Sequence, residues 1–159
     1  MAATIFVNLP VADVERTKAF YAALGAEIVP GFSDETTACV DWGSGIFFMM
    51  LSRERFASFT AGGRVLSPAD GVGTLIALGK DSREEVTAMR ETVLAAGGGE
   101  FRPAEDHGFM YGVAMTDPDG HVLEFFWMDP RAAAGGQSAS GNDPFTDAEE
   151  EGWPAREDG

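Results

Sequence analysis

Cysteine is almost absent from this 159-residue chain, where Cys39 stands alone. A single cysteine has no partner within the chain, which excludes an internal disulfide and suits a reducing compartment, so a cytoplasmic location is expected. Long apolar runs are missing as well. None approaches the roughly 18 residues of a membrane span, and the opening MAATIFVNLPV has neither a basic start nor a long apolar stretch. Neither membrane insertion nor secretion is expected. Bases are scarce: 11 Lys and Arg stand against 26 Asp and Glu, a formal net charge of −15. A duplex nucleic-acid partner is not expected, because phosphate binding needs the opposite sign. Nucleophile motifs are lacking too, with no G-x-S-x-G and no histidine near Cys39 in sequence. Gly43-Ser44-Gly45 is too short for a phosphate loop, and Gly97-Gly98-Gly99 follows a helix pattern where a phosphate site would precede one.

What is present is periodic and repeated. Thr4–Leu9 alternates as a strand. Asp13 is placed to cap a helix over 13–24, with Val14, Thr17, Phe20, Tyr21 and Leu24 at helical spacing and Gly25 at its end. Strand-like runs follow at 26–32, 36–42 and 46–51, separated by turn residues. Residues 52–72 are polar and read as a connection, with a short helix near 52–56. The pattern then restarts. A strand spans 73–79, and Ser82-Arg83-Glu84-Glu85 reads as a capping box. The helix over 82–96 carries Val86, Met89, Val93 and Leu94 on one stripe, and strands follow near 100–103, 110–116 and 121–127. Setting Asp13 against Asp81 gives a repeat of about 68 residues. The expected class is α+β: two tandem βαβββ modules, 4–52 and 73–128, in one domain of residues 1–130. Residues 131–159 turn small and acidic and read as a flexible tail, with Phe145 and Trp153 as its groups able to dock.

One stretch holds an anomaly. Met115–Met128, MTDPDGHVLEFFWM, reads as strand, tight turn and strand, with Pro118 fixing the first corner and Gly120 taking a positive φ. Alternation then sets His121, Leu123, Phe125 and Trp127 on one face, and Val122, Glu124, Phe126 and Met128 on the other. A carboxylate between Val122 and Phe126 must reach water, find a donor or hold a cation. His121, on the opposite parity, reads as structural.

Asp117-Pro118-Asp119-Gly120-His121 followed by Glu124 resembles the closing hairpin of the vicinal oxygen chelate superfamily, which includes glyoxalase I, extradiol dioxygenases and bleomycin and fosfomycin resistance proteins. Val11-Ala12-Asp13 and Phe20-Tyr21-x-x-Leu24-Gly25 resemble its first strand-to-helix passage. The resemblance implies a glyoxalase-like fold, in which the two modules form an open eight-stranded cup. It also implies four metal-ligand places, which fall on Phe6, within Phe48–Met50, on Leu75 and on Glu124. Three of these cannot bind a hard ion, so no metal and no cofactor are expected, the alternative being a divalent ion at an unusual site. The function so implied is metal-free binding of a small organic molecule in the cup, as the bleomycin-resistance type sequesters its drug. Phe6, Asn8, Met49, Leu75, Tyr111 and Glu124 are the candidate ligand contacts. The alternative is a catalytic member of lyase, isomerase or dioxygenase type, with Glu124 as base and His107 assisting. A homodimer is expected in either case.

Overall fold

Strand, capped helix and three further strands recur in order along the chain. The computed structural model describes residues 3–134. The first unit comprises β1 (Ile5–Val11), α1 (Val14–Ala23), β2 (Glu27–Ile28), β3 (Thr37–Asp41) and β4 (Ile46–Ser52). A connection follows, containing the short helix α2 (Arg53–Ala57) and a 3-10 turn at Pro68–Asp70. The second unit is β5 (Leu75–Gly79), α3 (Arg83–Ala95), β6 (Gly99–Asp106), β7 (Met110–Thr116) and β8 (Val122–Met128). The expected α+β class and both βαβββ units are present. The eight strands divide between two four-stranded mixed sheets, ordered β1-β4-β3-β2 and β5-β8-β7-β6, and no closed barrel forms. In each, the outer pair (β1 with β4, β5 with β8) is parallel and the remaining pairs are antiparallel. Residues up to Asp129 form one compact unit, and α4 (Pro130–Ala134) belongs to another. Most of the acidic tail, with Phe145 and Trp153, lies outside the described residues.

Local chemistry sets the helix ends. Asp13 Oδ1 accepts the Arg16 N–H at 2.9 Å, satisfying a donor that the first turn of α1 leaves unpaired. Val14, Thr17, Phe20 and Tyr21 are buried at helical spacing, and Gly25 leaves the helix at φ 90°. Ser82 caps α3 by accepting the Glu85 N–H at 3.1 Å. The return arm of the expected capping box lands one residue early, since Glu85 Oε2 accepts from Asp81 N at 3.1 Å.

Two strands depart from expectation. β2 stops after two residues, because Pro30 has no N–H to pair and Pro30–Phe32 winds into a 3-10 turn. β6 is longer than expected, reaching Asp106, and its register shifts on both sides of Arg102 take up Pro103. β1 likewise continues through Pro10, which an edge strand tolerates.

A single core serves both units. Phe20, Tyr21, Phe48 and Met50 share it with Val86, Val93, Leu123 and Phe125, and Trp42 meets Phe125 across the seam at 6.4 Å between ring centres. Period-two alternation sends these side chains to the helix-bearing face of each sheet. The opposite face carries Phe6 and Asn8 in the first sheet, and Leu75, Ala77, Glu124 and Phe126 in the second. Phe6 and Leu75 are exposed there, at 55% and 51%. No described helix is long and apolar enough to cross a membrane.

Candidate functional site

The hairpin turn between β7 and β8 proves to be a clasp between the two units. Gly120, at φ 95°, closes it by donating to the Asp117 carbonyl at 2.9 Å. Asp117 Oδ1 accepts the N–H groups of Asp119 and His121, each at 2.9 Å. Its Oδ2 accepts the Tyr21 hydroxyl from α1 at 3.0 Å. Asp119 Oδ1 accepts the Ala12 N–H at 2.8 Å and lies 3.4 Å from Arg16. His121 Nε2 is 2.7 Å from the Pro10 carbonyl. A carbonyl only accepts, so Nε2 carries the hydrogen, and in the neutral ring Nδ1 is left as the acceptor. Burial dominates the titration of the buried pair. It pushes the Asp117 carboxyl above its ordinary range, against the opposing pull of His121 and the backbone donors, and it raises the Tyr21 phenol, helped by the charge of Asp117.

Glu124 has found a donor. It stands between Ala77 and Ala114 on neighbouring strands, and Arg102, paired with Ala114 on β6, reaches across that small residue. Arg102 Nη1 meets Glu124 Oε1 at 2.6 Å while its Nε holds Glu105 at 2.8 Å. His107 lies on the far side of this chain, with Nε2 at 3.7 Å from Glu105. Glu105 and Arg102 thus stand between the two candidate catalytic groups. For Glu124 to act as a base it would have to surrender its ion pair.

The other candidates divide among separate places. Asn8 and Met49 are register partners on β1 and β4. Phe6 stacks on Phe47 with ring centres 4.9 Å apart and planes 12° from parallel. Leu75 lies on β5 in the other sheet, two pairs along from the Ala77–Glu124 row. Tyr111 faces away from Glu124, packed against the core, with the Arg83 guanidinium 5.4 Å above its ring. A divalent ion at the four implied places is therefore not supported by the side chains present. Phe6 and Leu75 carry no donor, Met49 offers only a soft thioether, and Glu124 is occupied by Arg102. Among the described residues no three His, Cys, Asp or Glu side chains converge.

The seam beside the clasp holds a cavity of about 360 Å³. Its walls come from both units and from the connection: Asn8 and Pro10 of β1, Phe56 of α2, Leu66, Thr74, and His121 at the head of β8. The connection keeps its shape through its own bonds. Arg64 pairs with Asp70 at 2.9 Å, Asp70 accepts the Ser67 N–H at 2.7 Å, and Arg53 donates to the Val65 carbonyl at 3.2 Å. Pro68 backs the clasp so closely that a Cβ on Gly120 would meet it at 3.0 Å. Sequence reasoning named Asn8 as a ligand contact but missed the wall of 64–74, a stretch with no periodicity to mark it.

Comparisons with known proteins bear on the same elements. Residues 4–43 match the family described as bleomycin resistance protein-like N-terminal. No curated protein matches the chain in sequence. A hypothetical protein from S. aureus is similar in structure, with TM-score 0.66, 25% identity, and coverage of 80% of this chain and 95% of that one. A glyoxalase-related enzyme from Fulvimarina pelagi gives TM-score 0.67 at 22% identity, covering 80% and 88% of the two chains. A lactoylglutathione lyase from Agrobacterium tumefaciens gives 0.59 at 18%, covering 80% and 94%. The chain has the glyoxalase-like fold and, over residues 4–43, a sequence that matches the bleomycin resistance protein-like N-terminal family.

Proposed function

We propose that this protein binds a small organic molecule in the seam cavity between its two modules, without a metal ion. The observation that carries the reading is the cavity itself. Its volume of about 360 Å³ falls within the usual range for small-molecule sites, roughly 300–1,000 Å³. Apolar walls with a few polar groups suit such a ligand, and here Asn8, Ser67, Thr74 and His121 supply the polar groups. The clasp makes the site rigid, because His121 is held by Pro10 and the turn by Asp117. Gly73 provides a direct test. A Cβ there meets nothing within 4 Å, so Gly73→Trp fills cavity space without forcing the backbone. Fragments that shift the Thr74 and His121 amides of ¹⁵N-labelled protein should lose binding to this variant while its melting temperature stays near that of the parent. No fragment shifting these amides, or shifts there that survive the substitution, would overturn the reading.

The proposal includes a homodimer. β1 and β5 are edge strands, and Ile5, Phe6 and Leu75 on them expose apolar surface that a second copy would cover. Light scattering should give twice the 16.9 kDa chain mass at micromolar concentration. A particle of one chain mass would remove the dimer and leave the cavity reading standing.

A further inference from the structure

A second cavity, of about 400 Å³, lies away from the clasp, over the β3–β4 part of the first sheet. Met49, Leu51 and Thr37 line it from β4 and β3. Phe32 and Ser33 join from the turn after β2, and Arg55 and Phe59 from α2 and the residues that follow it. Two features set it apart from ordinary surface. Phe32 and Phe59 stand out of the protein at 72% and 66% exposure. Arg55 lies over the Phe59 ring at 4.9 Å. Arg16, Lys18, Arg64, Arg83, Arg90 and Arg102 each have a carboxylate within 4.0 Å, whereas Arg53, Arg55 and Lys80 have none among the described residues. Arg53 donates to the Val65 carbonyl and Lys80 lies over the Trp42 and Phe125 rings, and of the three only Arg55 lines this cavity. In a chain with 26 acids, a guanidinium without such a partner on the wall of a cavity is an anion site in waiting.

We propose that this second cavity binds a small monocarboxylate with an aromatic body, its carboxylate on Arg55 and its ring against Phe32, Phe59 and Met49. The guanidinium already rests over the Phe59 ring, so less side-chain freedom is lost on binding. Asn8 adds an amide whose Nδ2 makes only a long bond of 3.4 Å, to the Phe6 carbonyl. Asp34 shares the wall. It is turned onto Thr36, whose N–H and hydroxyl it accepts at 2.7 and 2.8 Å, and these bonds, with a smaller contribution from the charge of Arg55, hold its carboxyl below the usual range. An ionised Asp34 repels a second negative charge, so the cavity selects one carboxylate per ligand.

The test uses the full chain labelled with ¹⁵N and three probes that share one ring: phenylacetate, phenylacetamide and phenylmalonate. Phenylacetate should give saturable shifts at the amides of 31–37 and Arg55, with phenylacetamide binding about tenfold more weakly, as expected for loss of a charge-assisted pair. Phenylmalonate should also bind more weakly than phenylacetate, because Asp34 repels its second carboxylate. Arg55→Gln, a change on an exposed helix that leaves folding intact, should abolish the preference for acid over amide. Gly73→Trp in the other cavity should leave it unchanged. The proposal is overturned if acid and amide bind alike, if Arg55→Gln keeps the preference, if shifts gather at Thr74 and His121 instead, or if no probe binds at millimolar concentration.

Discussion

Asp117→Ala should destabilise the protein by about 3 kcal/mol or more, the largest effect expected of a polar substitution here. The carboxylate satisfies three donors, the Tyr21 hydroxyl and the N–H groups of Asp119 and His121, and it is only 3% exposed. Alanine leaves all three without an acceptor where water has little access, and each such group costs about 1–3 kcal/mol. Asp117→Asn should cost less, because its amide oxygen still accepts from the turn. The two replacements also separate in their pH dependence. Burial raises the folded-state pKa of Asp117 above the ordinary 3.8. Its contribution is therefore fully present below 3.8 and is lost as pH rises through the folded value. The stability advantage of the parent over Asp117→Asn should accordingly shrink as pH rises across that interval. Urea unfolding at a series of pH values measures both effects. A loss under about 1 kcal/mol for Asp117→Ala would show that the clasp does not join the modules as described.

Gly98→Ala should cost about 2–4 kcal/mol, although it adds a single methyl group. Gly98 follows α3 where that helix turns toward β6 and comes against α1. A Cβ there would lie 2.5 Å from the Thr116 carbonyl oxygen, 2.5 Å from Val93 Cγ1 and 3.1 Å from Phe20 Cε2. A backbone carbonyl in a sheet and a fully buried valine cannot both give way, so the chain leaving α3 must move. Gly97→Ala differs in kind. Its φ of 98° strains the backbone while its Cβ meets nothing within 4 Å. Thermal unfolding of Gly98→Ala beside Gly98→Ser, which adds a still larger group, should show the serine variant at least as damaged. A melting temperature equal to the parent's would mean that α1 and α3 are not packed this closely.

Much of this fold can be read directly in the chain, because its strongest signals are local. Asp13 followed by Val14, Thr17, Phe20 and Tyr21 announces a capped amphipathic helix, and Asp117-Pro118-Asp119-Gly120 announces a turn. The repeat of these patterns supplied the second module. What could not be read depended on distance along the chain. Asp119 holds Ala12 across 107 residues, and His121 reaches Pro10 across 111. Nothing near either residue in sequence names its partner, so the stretch could be read as a turn, with His121 structural, but not as a clasp between modules. Glu124 was recognisable as an anomaly. Its donor was not, because only the bulged register of β6 brings Arg102 to it. The cavity walls were hardest. Residues 64–74 have no period, and Arg55 becomes notable only once it is seen on a cavity wall with no carboxylate within 4.0 Å among the described residues.

The most direct test of ligand binding between the modules without metal is a crystal structure of the full chain soaked with a fragment mixture. Data collected across the absorption edges of zinc, nickel, iron and manganese would read metal and ligand together. The account predicts fragment density bounded by Asn8, Thr74 and His121, with no anomalous peak beside Glu124, whose carboxylate remains on Arg102. An anomalous peak at Glu124 with Arg102 displaced, or an empty seam beside fragments bound elsewhere, would contradict it.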